Sequence, residues 1–152
     1  MTLHPFHILL VDDDPDDRML VADALSENGS TAQLHTVEDG EELLDYLRRR
    51  GRFAKVANTQ PPALILLDLH MQRMDGREAL RQIKADPNLR RIPVVVLTTS
   101  RAEEDIARTY DLGVNSFIIK PSAFQGLVEI LKTLSDYWCD TVKLPANEGR
   151  SP

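Results

Sequence analysis

Five apolar residues in succession, Ala63-Leu64-Ile65-Leu66-Leu67, run directly into a carboxylate, Asp68. An apolar run of that length, preceded by Pro61-Pro62 and followed by polar residues, is the signature of a strand buried on both faces of a parallel sheet. A charge does not belong inside such a strand, so Asp68 is expected at its C-terminal end, where the chain leaves the core. In open α/β sheets that edge is where ligands bind. What else the chain brings to the same edge decides its chemistry.

A second apolar run, Ile8-Leu9-Leu10-Val11, also ends in acid: Asp12, Asp13 and Asp14. Asp14 suits a helix N-cap and Pro15 a first helical turn, and Met19, Leu20, Ala24 and Leu25 supply an apolar face up to a stop at Gly29. Ala32 to Val37 alternates as an outer strand does. Glu38-Asp39-Gly40 then turns the chain into a helix carrying Leu43, Leu44 and Leu47, which Gly51 ends. From Arg52 to Pro62 there is no periodicity, and the loop is long for an α/β domain. After Asp68 the chain is polar and irregular to Gly76. A helix with Ala79, Leu80 and Ile83 on one face follows, closed by Asp86-Pro87.

Pro93 to Leu97 is the most β-branched stretch and finishes in Thr98-Thr99-Ser100. A helix is expected from Ala102 to Leu112, with Gly113 at its end. Phe117-Ile118-Ile119 is the last strand and ends in Lys120-Pro121, and Phe124, Leu127, Leu131, Leu134 and Trp138 mark a final helix. Five strands alternating with helices call for a doubly wound parallel sheet with right-handed crossovers and helices on both faces. Residues 1–144 are expected to form one domain with an extended last helix, and 145–152 a flexible tail.

Composition narrows the function classes. A chain of 152 residues with 42% hydrophobic content can bury one core and not comfortably two. A net charge of −6 excludes a protein that grips DNA or RNA by its phosphates. The densest basic patch, Arg48-Arg49-Arg50 with Arg52, is expected to cap the C-terminal end of a helix. The single cysteine, Cys139, fits a reducing compartment, and Ile8 to Val11 is too short for a signal h-region or a membrane span. A cytoplasmic chain is the expectation, with neither membrane nor nucleic acid among its partners.

If strands one, three, four and five lie side by side, one sheet edge presents Asp12, Asp13, Asp68, Thr98 and Lys120. Carboxylates in one small pocket repel by several kcal/mol per close pair even at an effective dielectric constant of about 20. A positive charge must sit among them. A hard divalent cation suits oxygen donors, with Mg²⁺ the common cytoplasmic choice. Lys120 and Thr98 would add a mobile charge and a hydroxyl donor, which with the metal could neutralise the oxygens of a phosphoryl group. Asp68 is then the natural nucleophile, forming an aspartyl phosphate.

In these residues the chain resembles the receiver domain of two-component response regulators. The resemblance is carried by Leu10-Val11-Asp12-Asp13, Leu66-Leu67-Asp68, the Met74-Asp75-Gly76 turn, Thr98 and Lys120-Pro121, over roughly Ile8 to Leu134. It implies a flavodoxin-like fold with strand order 2-1-3-4-5 and Asp68 as phosphoacceptor. It also implies Mg²⁺ held by Asp13, Asp68 and the backbone carbonyl of His70, with Asp12 helping through water. Thr98 and Lys120 would hold the phosphoryl group, and Phe117 would be the aromatic that turns inward on activation. A sensor histidine kinase is the implied partner, and the chain would be a phosphoacceptor rather than an enzyme.

Gln72 stands where receivers usually carry proline, Thr99 where many carry alanine, and His70 and Ser100 where the lifetime of the acyl phosphate is tuned. The long loop before the third strand, the Thr98-Thr99-Ser100 ending and the tail from Asp136 to Pro145 resemble receiver-only regulators of bacterial phytochrome kinases. With no length left for an output domain, signalling is expected through binding: to the kinase, to a downstream phosphotransfer protein, or to itself. Ile130, Tyr137 and Trp138, offset from the core stripe of the last helix, point to a homodimer through that helix.

Two other classes compete. A Mg²⁺-dependent phosphohydrolase working through an aspartyl phosphate normally places a second carboxylate two residues after the nucleophile, where this chain has His70. A scaffold that binds partners without phosphorylation has no use for so complete a site.

Overall fold

Each apolar run is a strand in the computed structural model, which describes residues 6–54, 61–71 and 74–145. β1 (His7–Val11), β3 (Leu64–Leu67) and β4 (Val94–Thr98) are buried along their whole length, as continuous apolar runs require. β2 (Gln33–Val37) and β5 (Ser116–Ile119) form the edges and are only partly buried. All pairings are parallel, in the order β2-β1-β3-β4-β5. The chain builds outward on one side of β1 and then crosses back to build β3, β4 and β5 on the other. That reversal opens a crevice at the C-terminal ends of β1 and β3. Val11 pairs with Leu67 and Leu67 with Val96, so the residues leaving β1 and β3, Asp12 and Asp68, emerge side by side.

The pleat sends alternate side chains to two cores. Leu9, Val11, Ile65, Leu67, Val94 and Val96 face α2 (Gly40–Arg48) and α3 (Gly76–Ala85). Ile8, Leu10, Leu64, Leu66, Val95 and Leu97 face α1 (Pro15–Glu27) and α5 (Phe124–Ser135). Each such buried aliphatic contributes about 1.5–3 kcal/mol relative to exposure. α4 (Glu103–Asp111) completes the layers, and among the described residues no helix is long and apolar enough to cross a membrane.

Several local expectations are corrected. Met19 and Leu20 are 64% and 43% exposed, and Val21 joins Ala24 and Leu25 in the core. At about 100° per residue, Val21, Ala24 and Leu25 share one arc, and the two residues before Val21 fall beyond its edge. In α5 Val128 completes the stripe of Leu127, Leu131 and Leu134, while Phe124 is exposed. Past Ser135 the helix widens into a π-helical turn, Asp136–Thr141. Ile130 in α5 and Trp138 in the turn pack partly buried against the core, and Tyr137 stays exposed, its ring edge-on to Trp138.

Arg49, in the left-handed region at φ 56°, turns α2 off before Gly51 is reached. The arginines around it pair with carboxylates: Arg48 with Asp86 at 3.5 Å, Arg50 with Asp45 at 3.4 Å and Arg52 with Glu42 at 3.1 Å. Gln72, residues 55–60 of the long loop and 146–152 of the expected tail lie outside the described residues.

Candidate functional site

The site assembles where strands stop. Asp12 follows β1, Asp68 follows β3, Thr98 closes β4 and Lys120 follows β5. The backbone sets their heights: the Asp68 amide donates to the Val11 carbonyl at 3.0 Å and the Lys120 amide to the Thr98 carbonyl at 2.8 Å. Asp12 and Thr98 are fully buried, Asp68 is 8% exposed, and Asp13 is partly buried. Asp14 caps α1 as expected, accepting from the Asp16 amide. The Asp14 amide itself donates to Asp12 Oδ1 at 3.0 Å, and Arg18 Nη1 to the Asp12 carbonyl at 2.7 Å. The acidic strand exit is thus pinned by the first turn of the helix it feeds.

Three carboxylates face one ammonium. Lys120 Nζ lies 2.8 Å from Asp12 Oδ2, 3.0 Å from Asp17 Oδ2 and 3.5 Å from Asp68 Oδ2. Burial lowers the lysine, but the hydrogen bond to Asp12 and the charges of Asp68 and Asp12 outweigh it, so Lys120 stays protonated well above the ordinary lysine range. Burial pushes the Asp12 carboxyl up, against the opposing hydrogen bond from Lys120. Asp12, Asp13 and Asp68 each offer an oxygen within 4.8 Å of the others. Hard oxygen donors in excess negative charge suit a divalent cation, and these three residues are the ones that could hold it.

Thr98 Oγ1 donates to Asp68 Oδ1 at 2.9 Å, and the His70 amide reaches the same oxygen at 3.3 Å. The His70 side chain is exposed. The loop after the acceptor is drawn in at Gly76, where an added Cβ would lie 2.5 Å from the Asp68 carbonyl oxygen. That close approach is the physical reason for glycine in the Met74-Asp75-Gly76 turn. Phe117 is partly buried against the core on the α2–α3 side, its amide donating to the Tyr110 hydroxyl at 3.2 Å.

The structure therefore brings together Asp12, Asp13, Asp68, Thr98 and Lys120, with the His70 amide beside the acceptor; Phe117 stands on β5 three residues before Lys120 and packs on the core. Ile130, Tyr137 and Trp138 lie apart, on the last helix and the turn beyond it. The sequence reading missed Asp17, because an acid in the first turn of a helix is favoured by the helix dipole whatever else it does. Its signal was its place one turn beyond the acidic strand exit. Arg77 and Asp105 were also missed: Arg77 donates to Asp105 Oδ1 through Nη2 at 2.7 Å and Nε at 3.2 Å, and Ser100 Oγ donates to Asp105 Oδ2 at 2.7 Å.

Fold and pocket define a class, the flavodoxin-like α/β domains that carry an acidic, cation-competent pocket at the switch point of the sheet. Within it, the family model of the response regulator receiver domain matches residues 8–132, and the chain belongs to that family. It is 39% identical to the response regulator Rcp1 of Synechocystis over 142 residues, covering 93% of this chain and 95% of that one. The solved structure of Rcp1 in its Mn²⁺-bound form superposes with a TM-score of 0.83, covering 93% of this chain and all of the other. The phosphorylated cyanobacterial phytochrome response regulator RcpA, 43% identical, gives 0.86 over 94% of this chain and all of its own. A "Probable methanogenesis regulatory protein FilR2" of Methanothrix harundinacea is 41% identical over 134 residues, 88% of this chain and 84% of its own. A receiver domain implies a histidine kinase as partner.

Proposed function

We propose that the chain accepts a phosphoryl group from a sensor histidine kinase on Asp68, with Mg²⁺ held by Asp12, Asp13, Asp68 and the backbone carbonyl of His70. The observation that carries this is the pocket itself: Asp68 at the switch point, Thr98 Oγ1 at 2.9 Å on one oxygen and Lys120 Nζ at 3.5 Å from the other. A carboxylate oxygen of Asp68 forms the bond to phosphorus while the bond from phosphorus to the kinase imidazole nitrogen breaks. The electron pair stays on that nitrogen, which then takes a proton. Thr98 donates to a phosphoryl oxygen and Lys120 moves its charge toward the group. When bound, the cation offsets the charge of the incoming group against the carboxylates. The chain acts as a stoichiometric acceptor rather than an enzyme with an external substrate.

Phosphorylation then acts by changing a binding surface, through Thr98, the segment after it and Phe117. A phytochrome-type light sensor is the proposed input, supported by the match to RcpA and Rcp1 over nearly the whole chain. A homodimer through α5 and the turn beyond it is supported by exposed Tyr137, and a downstream phosphotransfer protein is the proposed recipient.

Intact-mass analysis after incubation with phosphoramidate, with and without Mg²⁺, tests the acceptor chemistry on this chain and on Asp68→Asn. A Mg²⁺-dependent gain of one phosphoryl group, absent in the variant, is the expected result. No adduct at any time from seconds to hours overturns it, and steady turnover of a phosphate ester replaces it with a hydrolase. Transfer from an autophosphorylated phytochrome kinase, compared with an unrelated kinase, tests the proposed input.

A further inference from the structure

We infer that Arg77, Asp105 and Ser100 form a latch that holds the segment after Thr98 over the acceptor in the resting protein and sets the position of α4. The latch deepens the acceptor reading of Asp68 and rests on it. α4 lacks the anchors the other helices have. Thr109 is its one buried side chain, whereas α3 buries four residues and α5 five. Thr109 Oγ1 is directed to its own helix, donating to the Asp105 carbonyl at 2.8 Å. Its N-cap residue, Ala102, has no side chain that could cap, as Ala123 of α5 has none, but α5 is held by its five buried residues.

Polar contacts supply what packing does not. Ser100 Oγ accepts from the Ala102 amide at 3.3 Å and donates to Asp105 Oδ2 at 2.7 Å. Asp105 Oδ1 takes two guanidinium N–H groups of Arg77, whose Nη1 also donates to Asp75 Oδ2 at 3.2 Å. Asp75 Oδ1 caps α3 by accepting from the amides of Arg77 and Glu78, and Gly76 abuts the Asp68 carbonyl. From the other end the Ser100 amide approaches Thr98 Oγ1 at 3.5 Å, and Thr98 donates to Asp68. The chain of contacts thus leaves the acceptor through Thr98 and returns to it through Gly76.

The Arg77 and Asp105 side chains are 23% and 14% exposed, so water screens the pair less than a surface ion pair. The hydrogen bond from Ser100 and the guanidinium of Arg77 hold the Asp105 carboxyl below the ordinary carboxylate range, so it remains charged. With the latch closed, Thr98 is already presented to the acceptor. With it open, the segment from Thr99 to Ala102 must be ordered at each transfer, which slows the reaction. The cation ligands lie on the exits of β1 and β3, and none of them is bonded to Arg77, Asp105 or Ser100. Arg77 and Asp105 are therefore positioning residues whose loss separates transfer rate from cation affinity.

The test compares the full chain with Arg77→Gln, Asp105→Asn and the double variant. Three quantities are measured: the rate of labelling by phosphoramidate, Mg²⁺ affinity by calorimetry, and amide hydrogen exchange of residues 99–112 without phosphodonor. Each single variant should label about ten-fold more slowly, the double no more slowly than either single, with Mg²⁺ affinity unchanged and faster exchange confined to 99–112. Arg77→Lys, which keeps the charge but loses the two-pronged contact, should fall between and serves if Asp105→Asn folds poorly. Wild-type labelling in both single variants, additive losses, or slowed labelling with matching loss of Mg²⁺ affinity each overturn the latch. Failure of the parent chain to label overturns the acceptor reading, and exchange in α4 still decides whether the latch anchors that helix.

Discussion

Replacing Asp13 with Asn should make the cation-free protein more stable, because the pocket carries more negative charge than it compensates. The Asp13 carboxylate lies within 4.8 Å of those of Asp12 and Asp68, and Lys120 is engaged by Asp12, Asp17 and Asp68. Two unit charges at 4.8 Å repel by about 3.5 kcal/mol at an effective dielectric constant of about 20, and Asp13 faces two of them. Asp13 is partly exposed, so solvent screens much of this, leaving about 1–2 kcal/mol to be gained on removing the charge. Asn keeps the shape and the hydrogen-bonding capacity. With a urea m-value of about 1.5–2 kcal/mol/M, the midpoint should rise by about 0.5–1 M in EDTA. In Mg²⁺ the order should reverse, since a cation at a hundred times its Kd stabilises the parent chain by about 2.7 kcal/mol and the variant has lost a ligand. Urea titrations followed by far-UV circular dichroism under both conditions measure this. A variant that unfolds before the parent chain in EDTA would refute the reasoning, because the three carboxylates could not then be repelling one another.

Lys120→Met leaves buried Asp12 without its partner at 2.8 Å and should cost about 3–5 kcal/mol in EDTA, partly recovered on adding Mg²⁺; equal stability with and without the cation would count against it. His7 is held below the ordinary histidine range by burial and by neighbouring His35, to which its ring is hydrogen-bonded at 2.9 Å. The unfolded chain therefore binds more protons than the folded one below about pH 6.5, and stability falls as the pH drops through that value until the lowered folded pKa is passed. His7→Gln should flatten the profile between about pH 7 and 5, and urea titrations across that range would show whether it does. Gly76→Ala places a methyl group 2.5 Å from the Asp68 carbonyl oxygen and 3.0 Å from Leu69 Cα, both backbone atoms. It should cost about 1–3 kcal/mol and slow labelling of Asp68, and a variant matching the parent chain in both would show that the turn yields without disturbing the acceptor.

The strands and their terminal residues were legible because their physics is local. A strand buried on both faces must read as an unbroken apolar run, and a charge such as Asp68 or Asp12 can stand only where the run leaves the core. Once the runs are strands, topology alone sets Asp12, Asp68, Thr98 and Lys120 on one edge. Faces of helices were harder. α1 carries apolar residues on more than one side, and nothing local tells Leu20, exposed, from Val21, buried. Ile130 was read as surplus apolar surface, but it packs partly buried on the core, because the stripe of α5 is wider than Leu127, Leu131 and Leu134 alone imply. Arg77 and Asp105 stand 28 residues apart on two helices, each indistinguishable in sequence from a solvated surface charge.

Lys120 and Asp17 together explain how a pocket built for added positive charge survives without it. Lys120 does not rest on the acceptor: it sits closest to Asp12, the most deeply buried of the three acids it meets, and next closest to Asp17 at the rim. Its ammonium thus meets the largest desolvation penalty in the pocket and leaves Asp68 the longest of its three contacts. Thr98 and the His70 amide share Asp68 Oδ1, while Lys120 meets the other oxygen, Oδ2, at 3.5 Å without a short hydrogen bond. A carboxylate whose ammonium partner stands off at 3.5 Å remains a better nucleophile than one locked in a tight ion pair, and Lys120, on its flexible stem, stays available for the charge that arrives with a phosphoryl group.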